Sequence, residues 1–424
     1  MHRRLRLPRP IRLLSAALLA LAVTALPATA ANAQAPAAPA ATEGLQYVAL
    51  GDSYSAGFGL EPFSFSTPAD GCFQAEQNYP HQVAARLGLE LDDRTCSGAV
   101  TANIRDTPQP TITGLGTAPV QSQYLTADTD VVTVTIGGND LGFADVAAFC
   151  VSLGPGEPIL GDPLYTDCSD YYHPLPEVDL LADKIDDVVA PALASTYALI
   201  AEKAPNAKVI VVGYPTLSPD VENVPAAGCF TPALTPGGPP YPENSFPYTA
   251  ADTTYLHDVE AKLDAAIREN AEAAGATYLS TLPQTESHSA CQTDGSAFVN
   301  GISLLFDQPN QGTPTPDPDL FVKLGALHPN AAGVAFLTDQ VAAAVTAAVG
   351  EGTVGEEDGG GTPPQAIGDP DGGASSAATA DDRQLAASGA DPVPSLAVAA
   401  GLLAAAGAIL IGVRIRALRE SAEG

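Results

Sequence analysis

The sequence predicts an α/β protein in which helices cover both faces of a mostly parallel central sheet. Two observations lead to this fold class. Short apolar segments that stop at glycine alternate with longer segments of helical periodicity, and the clearest apolar segments are rich in β-branched residues. Strands that are buried on both faces read as unbroken apolar runs, and parallel strands need helical crossovers between them. We therefore expect a three-layer α/β/α sandwich of the doubly wound type.

The individual elements follow in chain order from these two patterns. The segments with a strand pattern are 47–50, 89–95, 130–136, 208–212 and 276–279, of which the second and the last are weaker. The segments with helical periodicity are 80–87, 180–203, 253–274 and 330–349. The proline-rich stretch 229–248 is too broken for regular structure, and we expect it to lie over the strand ends.

The N-terminus has the features of a secretory signal. Five arginines precede an apolar run at 13–26, and the small-residue sequence Ala31-Asn32-Ala33 follows that run. The run is short for a membrane span, which argues against an N-terminal anchor. We expect residues 1–33 to be a signal peptide that is cleaved after Ala33 or Ala30. The sequence leaves the export route open.

The C-terminal part of the sequence predicts a membrane anchor. Residues 351–394 are rich in Gly, Asp, Ala, Ser and Pro without apolar periodicity, which is typical of a disordered linker. Residues 395–413 are 19 small or apolar residues without a charge, enough to cross a bilayer at ~1.5 Å per residue. Arginines in the tail 414–424 favour a cytoplasmic location for it. The folded domain is then 43–350, and an amphipathic tail or a buried helix is the alternative interpretation of 395–413.

Charge and cysteine content restrict the partners and the compartment. The formal net charge of -31 predicts repulsion of polyanions, so we expect no nucleic acid as a partner. Six cysteines, an even number in an exported chain, favour disulfides, for which 15 connectivities are possible. No cysteine has the spacing of a metal site, so we expect no metal.

Four short motifs contain the groups that can do chemistry. They are Gly51-Asp52-Ser53-Tyr54, Ser97-Gly98, Gly137-Gly138-Asn139-Asp140 and Leu327-His328-Pro329-Asn330. Alone, such residues are more often helix caps, turn residues or a surface histidine. Together they supply a serine nucleophile, hydrogen-bond donors for an oxyanion and a histidine base, which are the groups that acyl transfer needs. Three of the four motifs follow predicted strands, so we expect them at one edge of the sheet.

These motifs, in this order, resemble the four blocks of the SGNH (GDSL) hydrolase family, and the chain is similar to secreted actinobacterial lipases and esterases of that family. The resemblance spans about residues 45–349 and implies a flavodoxin-like sandwich. It implies that Ser53 is the nucleophile and His328 the general base. The main-chain N–H groups of Ser53 and Gly98 and the side-chain amide of Asn139 would form the oxyanion hole. The family's mechanism requires no metal or organic cofactor.

One position departs from the pattern of the family. Most members have an aspartate three residues before the histidine, where this chain has Gly325. Secreted members similar to this chain use a main-chain carbonyl at that position, so the resemblance implies that the Gly325 carbonyl accepts the imidazole N–H. A carbonyl fixes the tautomer of the ring but has no full negative charge. Asp317 and Asp319 lie upstream, and assistance to His328 from either of them stays open.

The resemblance also implies which cysteines are joined. In the similar secreted lipases and esterases, consecutive cysteines form the pairs. The implied disulfides are Cys72–Cys96, Cys150–Cys168 and Cys229–Cys291.

The resulting expectation is an extracellular, membrane-anchored carboxylic ester hydrolase of lipase or esterase type that forms an acyl-serine intermediate. Its expected partners are a small-molecule or lipid ester and the cell membrane, and the protein is expected to be a monomer. A carbohydrate O-deacetylase and a non-catalytic surface adhesin that kept the fold are the open alternatives. Phe58, Phe63 and Phe65 either line an apolar acyl groove or pack within their own loop, and the sequence does not define the acyl chain length.

Overall fold

Five parallel strands form the central sheet of the part of the chain that this computed structural model describes, residues 42–64, 71–111 and 116–353. The strands in that part are β1 (Gln46–Gly51), β2 (Phe63–Ser64), β3 (Gln74–Ala75), β4 (Glu90–Asp93), β5 (Gln109–Pro110), β6 (Thr117–Ala118), β7 (Val131–Thr135), β8 (Lys208–Val212), β9 (Thr277–Leu279), β10 (Leu304–Phe306), β11 (Gly312–Pro314) and β12 (Leu320–Lys323). The central sheet has the order β4-β1-β7-β8-β9, and its four strand pairs are all parallel. The first strand lies inside the sheet with crossovers to both sides, which is the doubly wound arrangement.

The five predicted strands are the five strands of this sheet, and their ends differ from the prediction by at most two residues. All five residues of β7 are buried, as are the last three of β8. An unbroken apolar and β-branched run is therefore what these positions require, because both faces of the sheet are covered. The predicted fold class is confirmed.

Helices cover the two faces of the sheet. Among the described residues they are α1 (Ser53–Ala56), α2 (Tyr79–Leu87), α3 (Thr101–Arg105), α4 (Gly138–Leu141), α5 (Phe143–Phe149), α6 (Cys168–Tyr172), α7 (Leu180–Lys184), α8 (Ala190–Lys203), α9 (Ala250–Ala273) and α10 (Ala331–Thr353). Short 3₁₀ turns lie at Gln121–Tyr124 and Glu286–His288. The single helix predicted over 180–203 is α7 and α8 joined by a π-helical turn at Ile185–Val189.

Alternate residues of the central strands divide between two hydrophobic cores. Val48 and Leu50 of β1 belong to the core that contains residues of α3, α8 and α9. Tyr47 and Ala49 belong to the other core, with residues of α2 and α10. A shift of β1 by one residue would exchange the two sets, so burial on both faces specifies the register of this strand.

Helix α10 is long and apolar enough to cross a membrane over Ala331–Gly350, by length and composition alone. It packs against α2 and β8, where Val334, Leu337 and Val341 are almost completely buried. It is therefore a core helix of the domain and weak evidence for a span. The first three residues of the predicted linker 351–394 belong to α10, so the helix extends past the predicted boundary at residue 350. The rest of the linker, the predicted signal peptide 1–33, the span 395–413 and the tail 414–424 lie outside the described residues.

Disulfides hold the loops at the carboxyl ends of the central strands. They are Cys72–Cys96, Cys150–Cys168 and Cys229–Cys291, the consecutive pairing that the resemblance implied. The third joins the loop after β8 to the loop after β9, and the segment 229–248 has neither helix nor strand, as predicted. An antiparallel sheet of order β10-β12-β11 follows these loops and leads into α10.

Candidate active site

The first residue of α1 is Ser53, which directly follows the turn at the end of β1. Gly51 in that turn has φ of +133°, and a Cβ there would lie 2.5 Å from the carbonyl oxygen of Thr135. Only glycine allows β1 to approach β7 this closely before the chain reverses. Asp52 caps α1, since its Oδ1 accepts a hydrogen bond from the backbone N–H of Tyr54 at 3.0 Å. The turn and the cap thus place the Ser53 hydroxyl at the edge of the sheet.

The imidazole of His328 lies within hydrogen-bond distance of that hydroxyl. His328 Nε2 is 2.7 Å from Ser53 Oγ, and His328 Nδ1 is 2.8 Å from the carbonyl oxygen of Ala326. A carbonyl only accepts hydrogen bonds, so Nδ1 carries the proton and Nε2 is the acceptor for the serine hydroxyl. This is the tautomer that a base for Ser53 requires.

The carbonyl that holds the imidazole is that of Ala326 and not that of Gly325, so the expectation for Gly325 was wrong. The Gly325 carbonyl accepts hydrogen bonds from the backbone N–H of His328 at 3.1 Å and from Asn300 Nδ2 at 3.1 Å. Gly325 has φ of +83° and begins a tight turn in which its carbonyl meets the main chain of His328. The carbonyl of the next residue, Ala326, therefore faces the imidazole of His328.

Both ring nitrogens of His328 are thus occupied, by Ala326 and by Ser53, and neither is free for Asp317 or Asp319. Asp317 instead accepts the backbone N–H of Asp319 at 3.0 Å. The two aspartates upstream therefore organise their own turn.

A close backbone crossing explains why no side chain stands at position 325. A Cβ on Gly59, which follows α1, would lie 2.2 Å from the Cα of Gly325. A Cβ on Gly325 would lie 3.0 Å from the Cα of Gly59 and 3.5 Å from Asn300 Nδ2. An aspartate at 325 would also be strained by the positive φ. The usual position of a triad acid is closed by the segment that passes over it.

Burial lowers the pKa of His328 to about 4, and the hydrogen bond to Ala326 opposes this shift only in part. The rings of Tyr54 and Phe58 flank the imidazole, with centroids 4.9 and 5.0 Å from it. A partly apolar surrounding disfavours the imidazolium, so His328 is neutral at neutral pH. It is therefore in the form that can accept a proton.

Asn139 and Gly98, the other two residues predicted for the oxyanion hole, are placed differently. Asn139 is in α4, at the end of β7, and lines the same cavity as Ser53 and His328. Its Nδ2 donates one hydrogen bond to the carbonyl of Ala99 at 2.9 Å, which leaves the second amide hydrogen available. Gly98 is exposed, has φ of +84° and stands next to Ala99, but it is not part of the cavity wall.

Two tyrosines connect the motifs, and sequence reasoning gave neither a role. Tyr54 donates a hydrogen bond to the carbonyl of Leu327 at 2.6 Å, next to His328. Tyr214 donates to Asp52 Oδ2 at 2.5 Å and accepts from the backbone N–H of Gly138 at 3.0 Å. The sequence could have indicated a role for Tyr214, because this residue follows β8 and so lies at the same edge of the sheet as the motifs. Burial raises the pKa of Asp52 to about 7, although the hydrogen bonds from Tyr214 and Tyr54 oppose the shift.

The site opens into a cavity of about 470 Å³ with a largely apolar wall. Most of the wall comes from α5, from the loops after β7 and β8 and from the small sheet before α10, with side chains such as Phe143, Val151, Leu217, Leu234, Leu304 and Val322. Phe58 also lines it. Phe63 packs on Phe73 instead, with ring centroids 5.1 Å apart, and Phe65 lies outside the described residues.

Comparison with known proteins identifies the family of this chain. The model of the GDSL-like lipase/acylhydrolase family matches residues 49–336, a stretch that includes all four motifs. The chain belongs to this family. Members of the GDSL family include proteins named as lipases and esterases, and this chain is a serine ester hydrolase.

Two Streptomyces relatives of this GDSL hydrolase show how far the likeness extends. Lipase 2 of Streptomyces coelicolor is 35% identical over 283 residues, which are 65% of this chain and 84% of the relative. An esterase of Streptomyces scabiei is 32% identical over 270 residues, 61% of this chain and 74% of the relative. Among solved structures, phospholipase A1 of Streptomyces albidoflavus is 24% identical, with a TM-score of 0.48, over 70% of this chain and 99% of that chain.

The activity of this GDSL hydrolase should fall on acidification only near pH 4. The base must be neutral to accept the Ser53 proton, and burial lowers the pKa of His328 to about 4. Activity is therefore present above that pH and lost as the pH falls through it, whereas an unperturbed imidazole would give a midpoint near ~6.5. The measurement is kcat/KM for a soluble ester from about pH 3 to about pH 8. Circular dichroism at each pH separates titration from unfolding, and a midpoint near 6.5 in the folded protein would contradict the lowered pKa.

Proposed function

We propose that this protein is an exported hydrolase of carboxylic esters with long acyl chains and that it works through an acyl-serine intermediate. The observation that carries the proposal is the 2.7 Å distance between Ser53 Oγ and His328 Nε2, with His328 Nδ1 held by the Ala326 carbonyl. Nucleophile and base are in hydrogen-bond contact, and a third group orients the base, which is the arrangement that activates a serine.

The reaction then proceeds in two steps. Ser53 Oγ attacks the ester carbonyl carbon while His328 Nε2 takes its proton, and the imidazolium gives this proton to the departing alcohol. Water then attacks the acyl-serine, loses a proton to His328, and the carboxylic acid leaves as Ser53 recovers its hydrogen. The Ala326 carbonyl orients the ring in both steps, but it stabilises the imidazolium less than a carboxylate would, because it carries no full charge.

The negative charge on the tetrahedral intermediate needs hydrogen-bond donors that are already in place. We assign this role to the backbone N–H groups of Ser53 and Gly98 and to the side-chain amide of Asn139. The support is that Asn139 has a second amide hydrogen beyond the one given to Ala99 and lines the same cavity as Ser53. Each such donor is typically worth about 10²–10³ in kcat.

The cavity supports a long acyl chain as the part of the substrate that is bound. Its volume of about 470 Å³ lies within the range of roughly 300–1,000 Å³ that is typical of ligand pockets, so it can hold a group much larger than acetyl. Burial of each methylene contributes about 0.8 kcal/mol as an upper estimate. The apolar wall around Val151, Leu217 and Val322 therefore favours fatty acyl esters over acetyl esters.

Export and anchoring belong to the same proposal. Three disulfides are typical of proteins from oxidising compartments, and the N-terminal pattern at 1–33 and the uncharged run at 395–413 agree with export and a single span.

Cell fractionation tests the proposed export and membrane anchor. The full chain should sediment with membranes, and a chain that ends at residue 350 should be soluble outside the cell. A soluble full chain would contradict the anchor.

Substitution of the nucleophile tests the mechanism. We expect Ser53→Ala to lose essentially all ester hydrolysis and all labelling by a serine-reactive phosphonate, without a change in thermal stability. The matched control is Ser55→Ala in the same helix, because Ser55 is completely buried and hydrogen-bonds Tyr79. It should keep its turnover and labelling. Turnover by Ser53→Ala would contradict the assignment, and a wild-type protein without turnover or labelling would support the adhesin.

The acyl preference separates the proposal from a carbohydrate O-deacetylase. We expect kcat/KM on p-nitrophenyl esters to rise from acetyl to at least octanoyl, by up to about fourfold per buried methylene. Acetylated xylan or acetylated cell-envelope sugars should be poor substrates. A preference for acetyl esters together with rapid release of acetate from a polysaccharide would overturn the acyl-chain proposal and favour the deacetylase.

A further inference from the structure

The phenol of Tyr214 lies between two of the motifs that meet at the sheet edge. Its oxygen donates a hydrogen bond to Asp52 Oδ2 at 2.5 Å and accepts one from the backbone N–H of Gly138 at 3.0 Å. Asp52 directly precedes Ser53, and Gly138 directly precedes Asn139. One hydroxyl group therefore joins the nucleophile segment to the segment that carries the proposed oxyanion donor.

The neighbouring residues leave space for this hydroxyl and hold its ring in place. A Cβ on Gly138 would lie 3.2 Å from the Tyr214 oxygen and 3.3 Å from the ring carbon that bears it, so glycine gives the phenol room. The ring of Tyr54 stands edge-on against the ring of Tyr214, with centroids 4.9 Å apart. Tyr214 itself is in the wall of the cavity. The packing of the Tyr54 ring and the two hydrogen bonds of the hydroxyl thus fix the orientation of the Tyr214 side chain.

The link is present in each protonation state of Asp52. Tyr214 stays neutral because burial raises the pKa of its phenol well above the usual value of 10, so it keeps one donor and its acceptor lone pairs. An ionised Asp52 accepts from the phenol, and a protonated Asp52 can donate to it. In both forms Asp52 Oδ1 remains an acceptor for the backbone N–H of Tyr54.

We propose that Tyr214 is a positioning residue that sets the placement of the Asn139 amide relative to Ser53, through its hydrogen bonds to Asp52 and Gly138. The proposal rests on the proposed serine mechanism and deepens it, since it assigns a role in that mechanism to a residue outside the four motifs. Its physical basis is that oxyanion donors act only when they are held at the right place beforehand, and a displacement on the order of 1 Å costs about 10²-fold in rate.

The test is Tyr214→Phe, which keeps the ring and removes both hydrogen bonds. We expect kcat on a p-nitrophenyl ester to fall by about 10- to 100-fold, with KM within about twofold, because the acyl cavity is unchanged and only the transition state loses its donors. The matched control is Tyr248→Phe, since the Tyr248 hydroxyl is buried and has no hydrogen-bond partner among the residues that the structure describes. It should keep wild-type kcat.

A double-mutant cycle shows whether the effect passes through Asn139. Asn139→Ala alone should lower kcat by about 10²–10³. If Tyr214 acts by placing Asn139, Tyr214→Phe should change kcat less than threefold when it is added to Asn139→Ala. A full further loss in the double mutant would overturn the positioning role, as would wild-type kcat in Tyr214→Phe alone.

Two further measurements separate a failure of the Tyr214 role from misfolding of the variant and from a failure of the serine mechanism. If Tyr214→Phe does not fold by circular dichroism, Gly138→Ala disturbs the same contact from the other side and should show the same split between kcat and KM. Normal kinetics in Gly138→Ala would also overturn the proposal. Labelling of wild-type Ser53 by a phosphonate is measured in parallel: its absence means that the serine mechanism itself has failed, whereas labelling with unaffected Tyr214→Phe turnover rejects only the role of Tyr214.

Discussion

The contact between Ser53 and His328 depends on the close crossing of two glycines, Gly59 after the nucleophile helix and Gly325 before the histidine. Both residues have positive φ, and neither backbone leaves space for a side chain on the other. Two chain segments that are far apart in sequence can therefore come close enough to bring an imidazole to a hydroxyl. The same crossing excludes an aspartate at 325, so the orientation of the imidazole has to come from a main-chain carbonyl, that of Ala326.

Burial favours the neutral form of each of three ionisable groups at the site. It lowers the pKa of His328 to about 4 and raises the pKa of Asp52 to about 7 and of Glu260, which also lines the cavity, to about 8. In the mechanism that we propose, Ser53 and His328 are both neutral before the reaction, and charge appears on the imidazole and the substrate oxygen only in the transition state. Fixed donors in a poorly solvated place act most strongly on charge that develops in this way. The position of Asn139, and of Tyr214 behind it, is thus as important to the site as the identity of the base.

Much of the cavity wall is made by segments outside the central sheet. Loops after β7 and β8 and the small sheet before α10 supply much of the apolar surface, and the disulfides Cys150–Cys168 and Cys229–Cys291 hold these loops in place. Cross-links that close such loops lower the entropy of the unfolded chain, and both disulfides are themselves buried in the hydrophobic core that these loops share with α8 and α9. The acyl preference that we propose would therefore depend on these segments at the edge of the sheet and not on the central sheet itself.

Local patterns by themselves determined the α/β class, the five central strands and three of the four predicted helices, because burial on both faces of a parallel sheet forces unbroken apolar runs and helical crossovers. The π-helical turn at Ile185–Val189 within the helix predicted over 180–203 was not predicted, because one wider turn shifts the apolar spacing by only about one residue. The motifs identified Ser53, Asn139 and His328, because the types of side chain needed for acyl transfer are few and their positions at strand ends are predictable. Only the tertiary structure decided which carbonyl holds His328 and that Tyr214 joins Asp52 to Gly138. The reason is physical: the direction of a carbonyl in a turn and the meeting of side chains from different strands depend on backbone angles and on neighbours remote in the chain, which no local pattern records.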